Sequence, residues 1–186
     1  LLALLLGLFV YLAPSISLAA AQTLPAKLPV KVKVGLYLDD VTNMQELNET
    51  VSFVANLHMQ WKDSRLKYPA SSKSEPKIYM NGQAMKKMES IWHPQIKFIH
   101  IRGQLNTLAL KLTISPKGVV TYFARVSVSI KSSLNFHRFP FDSQVMVINL
   151  EPFAQNVNQV KLRVWGKYTG VAHKTYLNEW FVQKYS

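Results

Sequence analysis

The sequence predicts an all-β protein, a β-sandwich assembled from eight or more short strands. Three observations carry that prediction. Apolar residues recur at every second position through four long runs, turn residues separate those runs, and only one short stretch has helical spacing. A period of two puts alternate side chains on opposite faces, one apolar and one polar, as a half-buried strand requires.

Each element follows in order. In the first strand Val30, Val32, Val34, Leu36 and Leu38 alternate with Lys31, Lys33, Gly35 and Tyr37. The adjacent acids Asp39 and Asp40 would face opposite sides of a strand, so they read as its end. The second strand alternates Val51, Phe53, Ala55, Leu57, Met59 and Trp61 with Ser52, Val54, Asn56, His58 and Gln60. Residues 69–77, rich in Pro, Ser and Lys, read as an exposed loop, and Asn81-Gly82 as a turn. The one short helix is expected around 83–90, with Met85, Met88 and Glu89. Leu108, Leu110, Leu112 and Ile114 then alternate with Ala109, Lys111 and Thr113. Ser115-Pro116-Lys117-Gly118 suits a tight turn, with Pro fixing φ and Gly accepting a positive one, so it joins this run to Tyr122–Ile130 as a hairpin. Further apolar runs at 96–101, 145–150, 160–165 and 179–183 complete the set, with Gly166 as another turn signal.

Composition bounds the rest. Residues 1–21 carry no charge and end in Ala19-Ala20-Ala21, which reads as the apolar core and cleavage site of a partial signal peptide. The alternative is a membrane anchor, since the segment is nearly long enough to span, although Pro14, Ser15 and Ser17 interrupt it. Residues 22–186 are of one-domain length. The chain begins without Met and reads as a fragment. It has no cysteine, so an exported domain must do without disulfides, which suits a bacterial type. The net charge is +12, from 22 Lys and Arg against 10 Asp and Glu. The lysines are scattered and alternate with apolar residues, so they read as a solvated strand face rather than a nucleic-acid site. No nucleophile elbow, zinc-protease signature, phosphate loop or Cys pair occurs, and the five His lack metal-ligand spacing. An enzyme is not expected, and no cofactor or metal is implied.

One stretch stands apart. Leu134–Gln144 joins two alternating runs yet holds three Phe, one Pro and the charged pair Arg138 and Asp142. A loop so apolar should have a surface to dock on. It also completes a set of ordered motifs. These are Trp61-Lys62-Asp63-Ser64-Arg65-Leu66, Ile91-Trp92-His93-Pro94-Gln95-Ile96-Lys97-Phe98, Ser115-Pro116-Lys117-Gly118-Val119-Val120-Thr121-Tyr122 and Phe139-Pro140-Phe141-Asp142-Ser143-Gln144. In this order, over about residues 30–183, they resemble the extracellular ligand-binding domain of pentameric ligand-gated ion channels, the Cys-loop receptor superfamily. Leu150-Glu151-Pro152-Phe153 looks most like prokaryotic, amine-gated members. The two cysteines that close the family's signature loop correspond to Ser132 and Met146, as in prokaryotic members lacking that bridge. Packing of Leu134, Phe136, Phe139 and Phe141 must then order the loop.

The resemblance implies an immunoglobulin-like β-sandwich of about nine to ten strands with one short helix. It implies a pentamer of identical subunits on the exported side of a cell membrane, held there by helices beyond Ser186, with a small-molecule agonist between subunits. One subunit would offer the loop Ile99–Gly103, with Ile99 and His100, and the loop Glu151–Asn156, with Glu151, Phe153 and Asn156. Its neighbour would offer Asn56, His58 and Gln60, which read otherwise as simply solvent-facing. Phe153 reads either as an aromatic wall or as sandwich core, and Glu151 as a partner for an ammonium. Asn56 stands where many members have an aromatic residue, Lys97 where an amine-gated relative has an acid, and His100 where Asn is usual. A Lys near the site repels a cation, so an anionic or zwitterionic ligand has equal weight, and His58 with His100 permits proton sensing. Gating would pass through Arg138, Phe139, Pro140, Phe141 and Asp142. That loop would lie beside a turn expected at Thr42–Leu47, with Asn43 and Met44. A soluble pentameric binding protein and a sandwich that binds anionic envelope polymers are the alternatives.

Overall fold

The computed structural model describes residues 23–45, 47–69, 75–132, 145–172, 176–177 and 180–181. In chain order the strands are β1 (Val30–Gln45), β2 (Thr50–Lys62), β3 (Lys77–Met80), β4 (Ile96–Phe98), β5 (Asn106–Ile114) and β6 (Val119–Lys131). They continue with β7 (Leu150–Pro152), β8 (Val160–Val164), β9 (Gly170–Val171), β10 (Tyr176–Leu177) and β11 (Trp180–Phe181). One helix, α1 (Asn81–Glu89), follows β3. The main sheet runs β3-β5-β6-β2-β1-β8, with β9 beside β1, while β4 pairs with β7 in a second, smaller layer. This is the all-β sandwich that the alternation predicted.

β2 is the spine. Every odd residue from Val51 to Trp61 is buried, and every even residue between them is half-buried. β6 pairs with it along its whole length, from Thr50 opposite Lys131 to Lys62 opposite Val119. The core lies between the layers: Phe53 meets Phe98 of β4 at 6.2 Å, and Trp61 meets Trp92 edge-on at 6.4 Å. Complete burial of aliphatic and aromatic side chains of this size is worth about 1.5–3 kcal/mol each.

β1 departs from the sequence reading. Its alternation holds to Leu38, with Val34, Leu36 and Leu38 opposite the inward Met59, Leu57 and Ala55. It slips beyond Leu38, because register shifts between Leu38 and Asp40 and between Val41 and Asn43 set extra residues against β2. A bulge of this kind lets both Leu38 and Val41 turn inward. Asp39 and Asp40 therefore do not end the strand. Asp39 accepts a 2.8 Å hydrogen bond from Asn56 and pairs with Arg125 at 2.8 Å, so an acid that should disfavour a strand is matched there. The turn expected at Thr42–Leu47 moves as a result. Asn43 lies in β1 opposite Ser52 and Met44 opposite Val51, and the turn is made by Leu47–Glu49, with Glu49 at φ 48°.

The helix begins earlier than expected. Asn81, at φ 44°, opens α1, and its Oδ1 accepts a 3.1 Å bond from the Leu110 backbone N–H. Asn81 thus opens a helix and anchors it to β5, where the sequence suggested a turn.

The motifs that are separate in sequence meet in space. Asp63, 1 % exposed, accepts from the Arg65 backbone N–H at 3.0 Å and pairs with its guanidinium at 2.6 Å. The Asp63 N–H in turn donates to the Gly118 carbonyl at 2.9 Å. Gly118 has φ +72°, and a Cβ there would collide with the Asp63 carbonyl. The Trp61–Leu66 motif and the Ser115–Gly118 turn are therefore two halves of one joint. The hairpin between β5 and β6 forms as predicted.

Candidate functional site

Two surfaces hold the residues singled out by sequence. The first is the corner made by β4 and β7. Antiparallel pairing sets Lys97 opposite Glu151, and the Phe153 N–H donates to the Gln95 carbonyl at 2.6 Å, which carries the pairing two residues further. Side chains two residues apart in extended chain share a face. Glu151 and Phe153 therefore stand side by side, across from Lys97. The Lys97 Nζ lies 2.9 Å from Glu151 Oε1 and 5.3 Å from the centre of the Phe153 ring. Phe153 is 68 % exposed, which excludes the core reading of that residue. The expected partner of Glu151 was an ammonium, and the ammonium it holds is this chain's own.

Ile99 and His100 continue from β4. The Ile99 N–H donates to the Asn149 carbonyl at 3.0 Å. His100 is at φ 59°, and its carbonyl accepts from Lys131 at 2.8 Å, so its backbone pins the loop to β6. Asn156 serves its own turn. Its Oδ1 accepts from the Asn158 N–H at 3.0 Å, and its carbonyl accepts from Gln159 and Val160 at the start of β8.

The second surface is the outer face of β2. Asn56, His58 and Gln60 do point away from the core, but none is simply solvated. Asn56 is held by Asp39, and Gln60 donates to Thr121 Oγ1 at 3.3 Å. The His58 ring stacks on Tyr168 at 4.2 Å with 18° between planes, and leans on Phe123 at 5.0 Å. Tyr168 reaches it because the residue opposite His58 in β1 is Gly35; a Cβ on Gly35 would stand 2.8 Å from both the Cβ and the carbonyl oxygen of Tyr168. Trp165 packs edge-on to Tyr168 at 4.4 Å. Burial under this cover pushes the His58 imidazole below its usual value, because a charged ring loses hydration there. His93 is shifted the same way by burial, partly offset by a backbone hydrogen bond involving Pro94.

Tyr168, Trp165 and Gly35 were missed by sequence reasoning. Phe123 carried a signal, an aromatic residue on the polar phase of its strand. Tyr168 carried none, because its contact depends on a turn far along the chain docking over a glycine.

The coupling residues Arg138, Phe139, Pro140, Phe141 and Asp142 lie outside the described residues. The base of their loop is described. The Ser132 N–H donates to the Glu49 carbonyl at 2.8 Å, and Lys131 pairs with the Glu49 carboxylate at 3.1 Å. The end of β6 is thus tied to the turn between β1 and β2.

An exposed aromatic beside paired charges, and a half-buried polar and aromatic face on the central strand, give this sandwich two surfaces of the chemistry that small-molecule recognition uses. A family profile described as the neurotransmitter-gated ion-channel ligand binding domain matches residues 21–185, and the chain belongs to that family. It is 30 % identical over 159 residues to a proton-gated ion channel of Gloeobacter violaceus, covering 85 % of this chain and 42 % of that protein. It is 25 % identical over 165 residues to the rat gamma-aminobutyric acid receptor subunit rho-3, covering 85 % and 34 %. To the human rho-1 subunit it is 27 % identical over 142 residues, covering 74 % and 28 %. The chain thus spans less than half the length of these relatives. Among the described residues no helix is long and apolar enough to cross a membrane.

Proposed function

We propose that this chain is the exported agonist-binding part of a pentameric channel subunit, and that the β4–β7 corner of one copy forms the agonist site with the outer face of β2 of the next. The observation that carries this reading is Phe153, a large aromatic side chain left 68 % exposed beside the Lys97–Glu151 pair. A large aromatic side chain gives a ligand apolar area to bury once a second surface excludes water, while its quadrupole is already engaged by the Lys97 ammonium at 5.3 Å. Asn56, His58 and Gln60 supply that second surface. Ile99 and His100 act by holding the flanking loops through backbone hydrogen bonds, and Asn156 by ordering its own turn with Asn158, Gln159 and Val160.

Movement of the site would reach a pore through the segment 133–144, with Arg138 and Asp142 as its charges and Phe139, Pro140 and Phe141 as its apolar contact. The hydrogen bond from Ser132 to Glu49 supports this route, because it joins the base of that segment to the end of the β1–β2 hairpin that carries Asn43 and Met44. A shift of the sandwich would then move both together.

The names of the relatives supply two probes, acid and γ-aminobutyric acid. Currents evoked by each are recorded from cells expressing the full-length subunit, with and without Phe153→Ala. The reading expects a rightward shift of about tenfold in half-maximal activation by at least one of the two, matching about 1.4 kcal/mol of lost aromatic contact, with unchanged surface expression. Superimposable curves would remove Phe153 from the site.

A further inference from the structure

We infer that the Lys97 ammonium is a built-in occupant of the Phe153–Glu151 seat, and that it closes this seat to free organic ammonium ligands. The inference rests on the reading that Phe153 belongs to the agonist site.

The chemistry that recognises an organic ammonium is an aromatic face with a carboxylate in contact. Both are present here, and both are engaged. The Nζ of Lys97 is 2.9 Å from the Glu151 carboxylate and 5.3 Å from the Phe153 ring centre. The arrangement comes from the backbone. Lys97 and Glu151 are directly opposed in the β4–β7 register, and the bond from the Phe153 N–H to the Gln95 carbonyl holds Phe153 on the same side as Glu151.

Other lysines show that a ring alone does not make this arrangement. Lys33, Lys77, Lys87 and Lys167 also lie over aromatic rings, at 4.4–6.0 Å. Among the described residues, Lys97 is the one ring-contacting lysine whose ammonium also has an ion pair with a carboxylate.

A tethered group of this kind acts at millimolar effective concentration, so a free amine must compete with it. It also repels an incoming cation, although the exposure of the pair, 44 % and 45 %, weakens that repulsion through solvent screening. Removing the Lys97 charge leaves Glu151 unpaired beside Phe153 and opens the seat. A gain of about tenfold in affinity for an ammonium follows from losing both the competition and the repulsion.

The probe is tetramethylammonium, titrated calorimetrically into the purified full-length protein. The proteins are wild type, Lys97→Gln, Lys97→Met and Lys97→Gln with Phe153→Ala. Lys97→Met keeps the apolar stem, so a packing defect in Lys97→Gln would not be mistaken for the effect. The expected result is binding about tenfold tighter in both single variants than in wild type, with the gain lost in the double variant. Equal binding in wild type and the single variants, or none in any, overturns the inference. So does a gain that survives Phe153→Ala, since it would lie elsewhere. The parent reading fails separately, when Phe153→Ala alone leaves activation unmoved. If that variant shifts activation but Lys97→Gln gains no ammonium binding, only the present inference falls.

Discussion

Replacing Gly35 with Ala tests whether the cover over His58 is set by one missing side chain. The backbone of β1 is extended at this position and accepts Ala, which has the better strand propensity. The cost is therefore steric. The new Cβ would sit 2.8 Å from the Cβ and carbonyl oxygen of Tyr168, and 2.9 Å from its carbonyl carbon. Ordinary separation is about 3.5–4.0 Å, so the gap is short by roughly 0.7–1.2 Å. Two of the three atoms are backbone, so no rotamer change relieves the clash, and the turn Gly166–Tyr168 must lift. Lifting it loses the Tyr168–His58 stack, worth about 0.5–1.5 kcal/mol beyond burial, and strains what remains. A total of about 1–3 kcal/mol follows from overpacking of this kind. For a chain of this length that lowers Tm by about 3–10 °C. Thermal unfolding of wild type and Gly35→Ala, with an NMR titration of His58, reads both consequences. The uncovered imidazole should titrate closer to its usual value. An unchanged Tm with an unchanged His58 titration would refute the reasoning.

Two further outcomes follow. Gly118→Ala combines a left-handed backbone with a collision against the Asp63 carbonyl, so it should destabilise by about 2 kcal/mol or more, read as the urea midpoint; an unchanged midpoint would mean that the Asp63–Gly118 joint is loose. Acid should destabilise the fold through His58 and His93, both shifted down by burial. Above pH 6.5 each ring is neutral folded and unfolded, so neither contributes; below it the unfolded chain takes up protons first, and stability falls until the folded rings protonate. The slope approaches about 1.4 kcal/mol per pH unit for each ring, and His58→Gln with His93→Gln should flatten it between that pH and the folded values. A slope that survives both substitutions assigns the effect to other groups.

The sheet was legible because period-two burial is a direct consequence of strand geometry, and β2 and β6 obey it residue by residue. The Ser115–Gly118 hairpin was legible because turn chemistry demands Pro and Gly there. β1 was legible only to Leu38. Beyond it, the bulges and the partners of Asp39 come from β2 and β6, and no local pattern announces a distant Arg125. The same limit explains the site. Alternation could place Asn56, His58 and Gln60 on the outer face, and it did. It could not show Tyr168 lying over His58, since that contact needs Gly35 to be empty and a turn more than a hundred residues away to fill the space. Lys97 was legible as a charge near the corner, but its pairing with Glu151 depends on the β4–β7 register.

The central claim, that the Phe153 corner of one copy faces the β2 outer face of the next, is tested most directly by cross-linking. Residues 1–186 hold no cysteine, and any cysteine elsewhere in the full-length subunit is first replaced by Ser, so that the introduced pair stands alone. Full-length subunits carrying Phe153→Cys together with Gln60→Cys are treated in membranes with a short bifunctional maleimide and separated under denaturing conditions. A head-to-tail ring predicts a ladder that ends at five subunits in the double variant and no cross-linked species in either single variant. Monomers alone in the double variant, or dimers formed by Phe153→Cys alone, would contradict the account.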